Sequence, residues 1–234
     1  MAAPRTPKMT DSKPSADTLS RLFERAELLP LLPAYVYRLA ESSPNDERTL
    51  GLLIETIEGS HALRAAFTRL CLAHQIEPGQ SGPESMRAGI LLLGVRQVLR
   101  FATVFTVLQS VSYDDSGCLF DPRESGVRTA RYGLMAECLF ANPARTPEPG
   151  EFLIQELLQE LPRALLALQA PGAYNRVHIN SLLREISFDR SFEQLFDRPL
   201  AELGAAALTG WGLDALNPET CHGSASRASL PLAA

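Results

Sequence analysis

The 234-residue chain is 45% hydrophobic and 21% charged, an ordinary globular balance in a length that can bury a large core without disulfide or metal staples. Its formal net charge of -5 weighs against a general electrostatic grip on nucleic acid or anionic lipid. Residues 1–13 hold no apolar stretch and the longest apolar run, 88–95, is far short of the ~20 residues a bilayer requires, so neither a secretory signal nor a membrane span is predicted and the cytoplasm is the expected compartment.

Residues 1–18, rich in Pro, Ser, Thr and charge, are expected to form a disordered tail. A helix is predicted over 19–28, then Pro30 and Pro33 impose an extended connector. Helices follow over 34–41 and 49–58, the second carrying Leu50, Leu53, Ile54 and Ile57 on one face with Thr49 as its N-cap. Gly59-Ser60 ends it, and 61–74 resumes through Leu63, Ala66, Phe67 and Leu70. After a Gly/Pro loop at 77–83 comes a helix over 85–93, stopped at Gly94, then 96–111, which is apolar on nearly every side and therefore predicted to be the central buried helix.

Residues 113–122 and 142–150 read as loops, and Pro171-Gly172 is the one plausible inner boundary. Between the loops, 123–141 places Val127, Ala130, Leu134, Met135 and Leu139 on a stripe expected to face the core. The next segment, 152–168, is predicted to be helical despite Pro162, a point where the helix could divide. Beyond Ala170–Ala173, helices are predicted over 177–186, with Leu182, Leu183 and Ile186 inside, over 188–196, and over 200–210. Trp211 is expected to anchor the terminal helices by packing, and 223–234 to be a flexible tail. Nothing alternates at period two for more than a few residues. The fold class is therefore all-α, a multi-helix bundle in one domain over 19–222.

Motifs for catalysis are sparse. No two of His61, His74, His178 and His222 share the i, i+3 or i, i+4 spacing of helical metal ligands. Glu156 and Glu160 are one turn apart, but two carboxylates alone make a poor cage for a divalent ion. Asp114-Asp115 reads as turn chemistry. Gly210-Trp211-Gly212 follows a helix rather than a strand and fails as a dinucleotide fingerprint. Cys71 lies three residues before His74 without a visible activator. The four cysteines, Cys71, Cys118, Cys138 and Cys221, include no CxxC pair and read as reduced core residues. Arg87, Arg96 and Arg100 cluster on the central helices, as an interaction surface or as ion-pair partners.

Several segments together resemble the HDOD family, a catalytically degenerate relative of the HD phosphohydrolases. Leu29-Pro30-Leu31-Leu32-Pro33 is similar to the family's LPPLP opening. Ile57 to Leu63 resembles its I-x-x-D-P-x-L segment, with Ser60 and His61 in place of Asp-Pro. Ala88 to Arg100, through Gly94, resembles its A-I-x-x-L-G-x-x-x-L/V-R helix pair. Ala201-Glu202-Leu203-Gly204-Ala205, running to Trp211-Gly212-Leu213, resembles A-E-x-G-A and W-G-L-P.

The resemblance implies a helical bundle of the HD type acting in bacterial signalling without hydrolase activity. Where true HD enzymes keep the His-Asp pair that chelates metal, this chain carries Gln159-Glu160. Leu200 stands where a histidine is frequent, and only His222 remains near the closing pair. Lacking imidazoles, such a site cannot hold an activated water. The expected role is a non-catalytic regulatory module with a protein partner, no cofactor and no membrane attachment; a homo-oligomer is left open. The alternatives are a sensor for a nucleotide second messenger in the vacated pocket and, third, a residual metal-dependent phosphohydrolase.

Overall fold

The computed structural model describes residues 31–74, 84–111, 117–140 and 148–216. The tails and the helix expected over 19–28, with the loops at 77–83 and 142–147 and His222, lie outside the described residues. Among the described residues every regular element is a helix: α1 (Ala34–Glu41), α2 (Glu47–Gly59), α3 (His61–Ala73), α4 (Glu84–Leu93), α5 (Val95–Val111), α6 (Pro122–Phe140), α7 (Glu151–Gln169), α8 (Pro171–Arg184), α9 (Phe188–Phe196) and α10 (Ala201–Gly210), followed by a 3-10 turn at Asp214–Leu216.

Helices α5 and α7 pack on each other at the centre. Helices α1, α2 and α4 cover α5; α6, α8 and α10 cover α7; α3 bridges α2 to α6. The apolar girdle of α5 explains its place: Val98, Phe101, Ala102, Val104 and Val107 are all buried. Its threonines do not leave orphaned polar atoms there, because Thr103 Oγ1 donates to the Leu99 carbonyl at 2.8 Å and Thr106 Oγ1 to that of Ala102 at 2.5 Å.

Gly94 separates α4 from α5 with φ of +89°, a left-handed conformation that only glycine adopts without strain. The two helices bend there by 103°. No single helix among the described residues is long and apolar enough to cross a membrane; the α4–α5 pair meets that test only when taken together across the bend.

Four local expectations are corrected. The N-cap of α2 is Asp46, whose carboxylate accepts from the Arg48 amide at 2.9 Å; Thr49 instead donates its hydroxyl to the Ser43 carbonyl at 2.6 Å. Pro162 does not divide α7, which runs unbroken from Glu151 to Gln169. Its buried ring packs against Gly204 of α10, where an added Cβ would meet Pro162 Cδ at 3.2 Å. The helix expected from residue 177 starts at Pro171, the first residue of α8, suited to N1 because its missing N–H has no partner there anyway. Near the C-terminal end of α8, Leu182 and Leu183 face solvent rather than the core.

The largest departure concerns α6. Val127, Met135 and Leu139 of its predicted core stripe are exposed, while Ser125, Thr129, Gly133 and Glu137 face inward. The reason is distance rather than hydrophobicity. An added Cβ on Gly133 would sit 2.8 Å from Leu153 Cα, so α6 and α7 approach backbone to backbone through small residues, and a bulky apolar stripe cannot occupy that seam.

Candidate functional site

The Gln159-Glu160 position lies on α7 at the centre of the bundle. Gln159 is exposed, whereas Glu160 is buried. Both Glu160 oxygens are engaged: Ser125 Oγ of α6 donates to Oε1, and Arg163 Nη1 donates to Oε2 at 3.2 Å. Arg163 also reaches Asp189 of α9 at 3.0 Å and stands over the Phe188 ring, 5.6 Å from its centroid. Burial works against the Arg163 charge, but the Asp189 and Glu160 carboxylates outweigh it and hold its pKa above the ordinary value. The Tyr174 phenol is pushed up to about 12 by burial, with Glu160 adding to the rise.

A buried carboxylate requires a counter-charge. Here the guanidinium of the same helix, one turn on, supplies it. That arrangement does not fit a divalent ion. The cation would have to displace Arg163 or share Glu160 with it against like-charge repulsion, and Gln159 is exposed rather than buried beside Glu160. Among the described residues no group of three or more His, Cys, Asp or Glu side chains is placed to hold a metal. Glu156, the other half of the i, i+4 pair, is a half-exposed carboxyl whose pKa is raised by burial, opposed by Arg163 and reinforced by Glu160.

The three described histidines serve other ends. His74 Nε2 meets Glu137 Oε2 at 2.7 Å, while Glu137 Oε1 accepts from the Phe152 amide at 2.9 Å. Glu137 thus caps the N-terminus of α7 from α6, where the helix dipole favours an anion. His61 contacts Arg64 at 3.1 Å, and the His178 ring stacks on Tyr174 at 6.0 Å. The Cys71 thiol, pushed up to about 11 by burial, is a poor nucleophile. Cys71, Cys118 and Cys138 are free; the first two are half-buried as core cysteines can be, but Cys138 is exposed, which corrects the expectation for that residue.

The expected arginine surface splits. Arg87 and Arg96 are exposed, the first one turn before the exposed Leu91 on α4 and the second on α5 across the Gly94 bend. Arg100 is instead half-buried and ion-paired to Glu151 of α7 at 2.6 Å. Gly94 holds the left-handed bend and Gly204 the close approach to Pro162 already described. Trp211 is buried, and the chain turns beyond it in a Schellman motif: the Gly212 amide donates to the Thr209 carbonyl at 2.9 Å and that of Leu213 to Leu208 at 2.7 Å.

The sequence reading of Glu160 missed its partners. Arg163 was visible as an i, i+3 neighbour, a spacing that places opposite charges together on a helix. Ser125, 35 residues from Glu160, and Asp189, 26 residues from Arg163, carry no local signal.

A family model described as HDOD domain matches residues 29–222. No curated protein and no solved structure matches the chain.

Proposed function

The chain belongs to the HDOD domain family, and from that premise we propose that it is a non-catalytic regulatory module of bacterial signalling, working in the cytoplasm through contact with a protein partner. One observation carries this reading: the acidic residue at the place of the metal-chelating pair, Glu160, is neutralised by Arg163 and hydrogen-bonded by Ser125. A site whose anion already has an internal cation has no charge left to recruit a catalytic one. The fold then offers its surface rather than its interior. Arg87 and Arg96, with the exposed Leu91 and Leu92 between them in the chain, offer a surface of the mixed apolar and Arg-rich kind found at interfaces.

A nucleotide sensor is less well supported, because Arg163 and Phe188 occupy the space beside Glu160. Affinity capture from a bacterial lysate tests the proposal. A defined protein partner should be retained by the native chain and lost on Arg87→Glu/Arg96→Glu. Recovery of nothing at several salt concentrations, or a thermal shift with cyclic dinucleotides in place of a protein partner, would contradict it.

A further inference from the structure

The exposed half of α6 is unusual in composition. Val127, Tyr132, Met135 and Leu139 are 55%, 54%, 55% and 70% exposed, so four large apolar side chains face outward from one helix. Arg123, Arg128 and Arg131 lie among them, against a single outward carboxylate, Glu124. Among the described residues no carboxylate pairs with Arg123 or Arg131. This face is therefore locally basic on a chain whose net charge is -5. These residues, Leu139 excepted, line a groove of about 720 Å³. At 100° per residue, positions 123, 127, 131, 135 and 139 drift slowly along the face, with 128 and 132 beside them. The apolar side chains and the guanidiniums are thus interleaved along several turns.

We propose that this face docks an acidic amphipathic helix from a partner protein. The inference rests on the reading of the chain as an interaction module and names a surface on a different helix from the Arg87 and Arg96 face. The apolar residues supply the area whose burial drives association. The arginines select the sign of the partner's flanks, since positive charge set against negative speeds encounter and rejects like-charged competitors. A second copy of the chain is a poor occupant: laying α6 against its symmetry mate would bring arginines toward arginines with one carboxylate each to offset them. The inward turn of the small and polar residues means that this face is not needed to hold α6 on α7, so its apolar character has no role in the core.

Methionine-methyl NMR on the full chain tests this directly. Met135 lies on the face, and Met86 of α4 lies outside it as an internal control. Two designed helical peptides serve as probes, each with leucines at i, i+3, i+4 and i+7, one flanked by glutamates and one by lysines. The expected result is a saturable shift of Met135, not Met86, with the glutamate peptide alone. Affinity should fall about tenfold or more in Arg123→Glu/Arg131→Glu and in Val127→Ser/Leu139→Ser, and should weaken with salt. All four positions are at the surface, so these variants should fold.

Equal response to both peptides, or to neither, overturns the proposal. So does a Met135 shift that follows protein concentration alone, which identifies a second copy, or one produced only by a peptide of residues 17–29 of this chain. If a captured partner is lost with Arg87→Glu/Arg96→Glu but kept with Arg123→Glu/Arg131→Glu, and the peptides fail, the interaction reading stands and this surface does not.

Discussion

Arg163 and Glu160 form the pair on which the interior depends. With Arg163→Met, Glu160 is left buried with only Ser125 as a partner. Breaking such a pair by removing one charge costs more than the pair itself is worth. Arg163 is partly solvated, its side chain 23% exposed, so the loss should be about 2–4 kcal/mol rather than the full cost of a deeply buried pair. Urea unfolding of Arg163→Met and of Arg163→Met/Glu160→Gln checks this: the double variant should recover most of the loss, and an equally unstable double variant would show that the charge pairing is not the cause. Glu156 gives a pH-dependent counterpart. Its folded pKa is raised, chiefly by burial, so the folded state holds the proton more tightly than the unfolded state. Stability is then lost as pH rises from the ordinary glutamate range through the raised value. Glu156→Gln should therefore be more stable than the native chain at neutral pH, with the difference vanishing below the ordinary glutamate range; a gain independent of pH would contradict the desolvation origin.

At the scale of elements, α6 tests the claim that helix distance rather than hydrophobicity sets its inner face. Gly133→Ala adds a methyl 2.8 Å from Leu153 Cα, and backbone cannot yield cheaply there, whereas Gly126→Ala on the same helix meets nothing within 4 Å. Alanine is a better helix former than glycine by ~1 kcal/mol. Gly126→Ala should therefore stabilise by up to that amount, and Gly133→Ala should destabilise by about 1–2 kcal/mol despite it. Thermal or urea denaturation of the two variants decides the point; equal effects would remove the close-approach argument. The contrast also shows what was legible in the sequence. The all-round apolar pattern of α5 led to the correct central position, and the bounds of most helices fell within a residue or two, because cap residues and apolar spacing are local properties. The inner face of α6 was not legible, since periodicity ranks hydrophobicity and cannot see how near the neighbouring backbone lies. Pro162 marked a point where the helix could divide, because proline removes a helical hydrogen bond; Gly204 of α10, which accommodates its ring, is 42 residues away in the chain.

At the scale of the molecule, two observations meet. The centre of the bundle is closed by its own charges, Glu160 to Arg163 to Asp189 and Arg100 to Glu151, and the exposed residues of α4 and α6 include leucine and arginine, with Met135 on α6. Family membership was readable from four short blocks in order. The chemistry of the Gln159-Glu160 position was only half readable: the lack of histidine there and the i, i+3 Arg163 lie within one segment, but Ser125 of α6 and Asp189 of α9, which complete the network, do not. The central claim is that this interior binds its own guanidinium in place of a metal. Its most direct test is the metal content of the full chain, measured by plasma mass spectrometry after exposure to Mn, Fe and Zn and then desalting. The account predicts metal far below one ion per chain, unchanged in Glu160→Gln; one ion retained per chain, and lost in that variant, would contradict it.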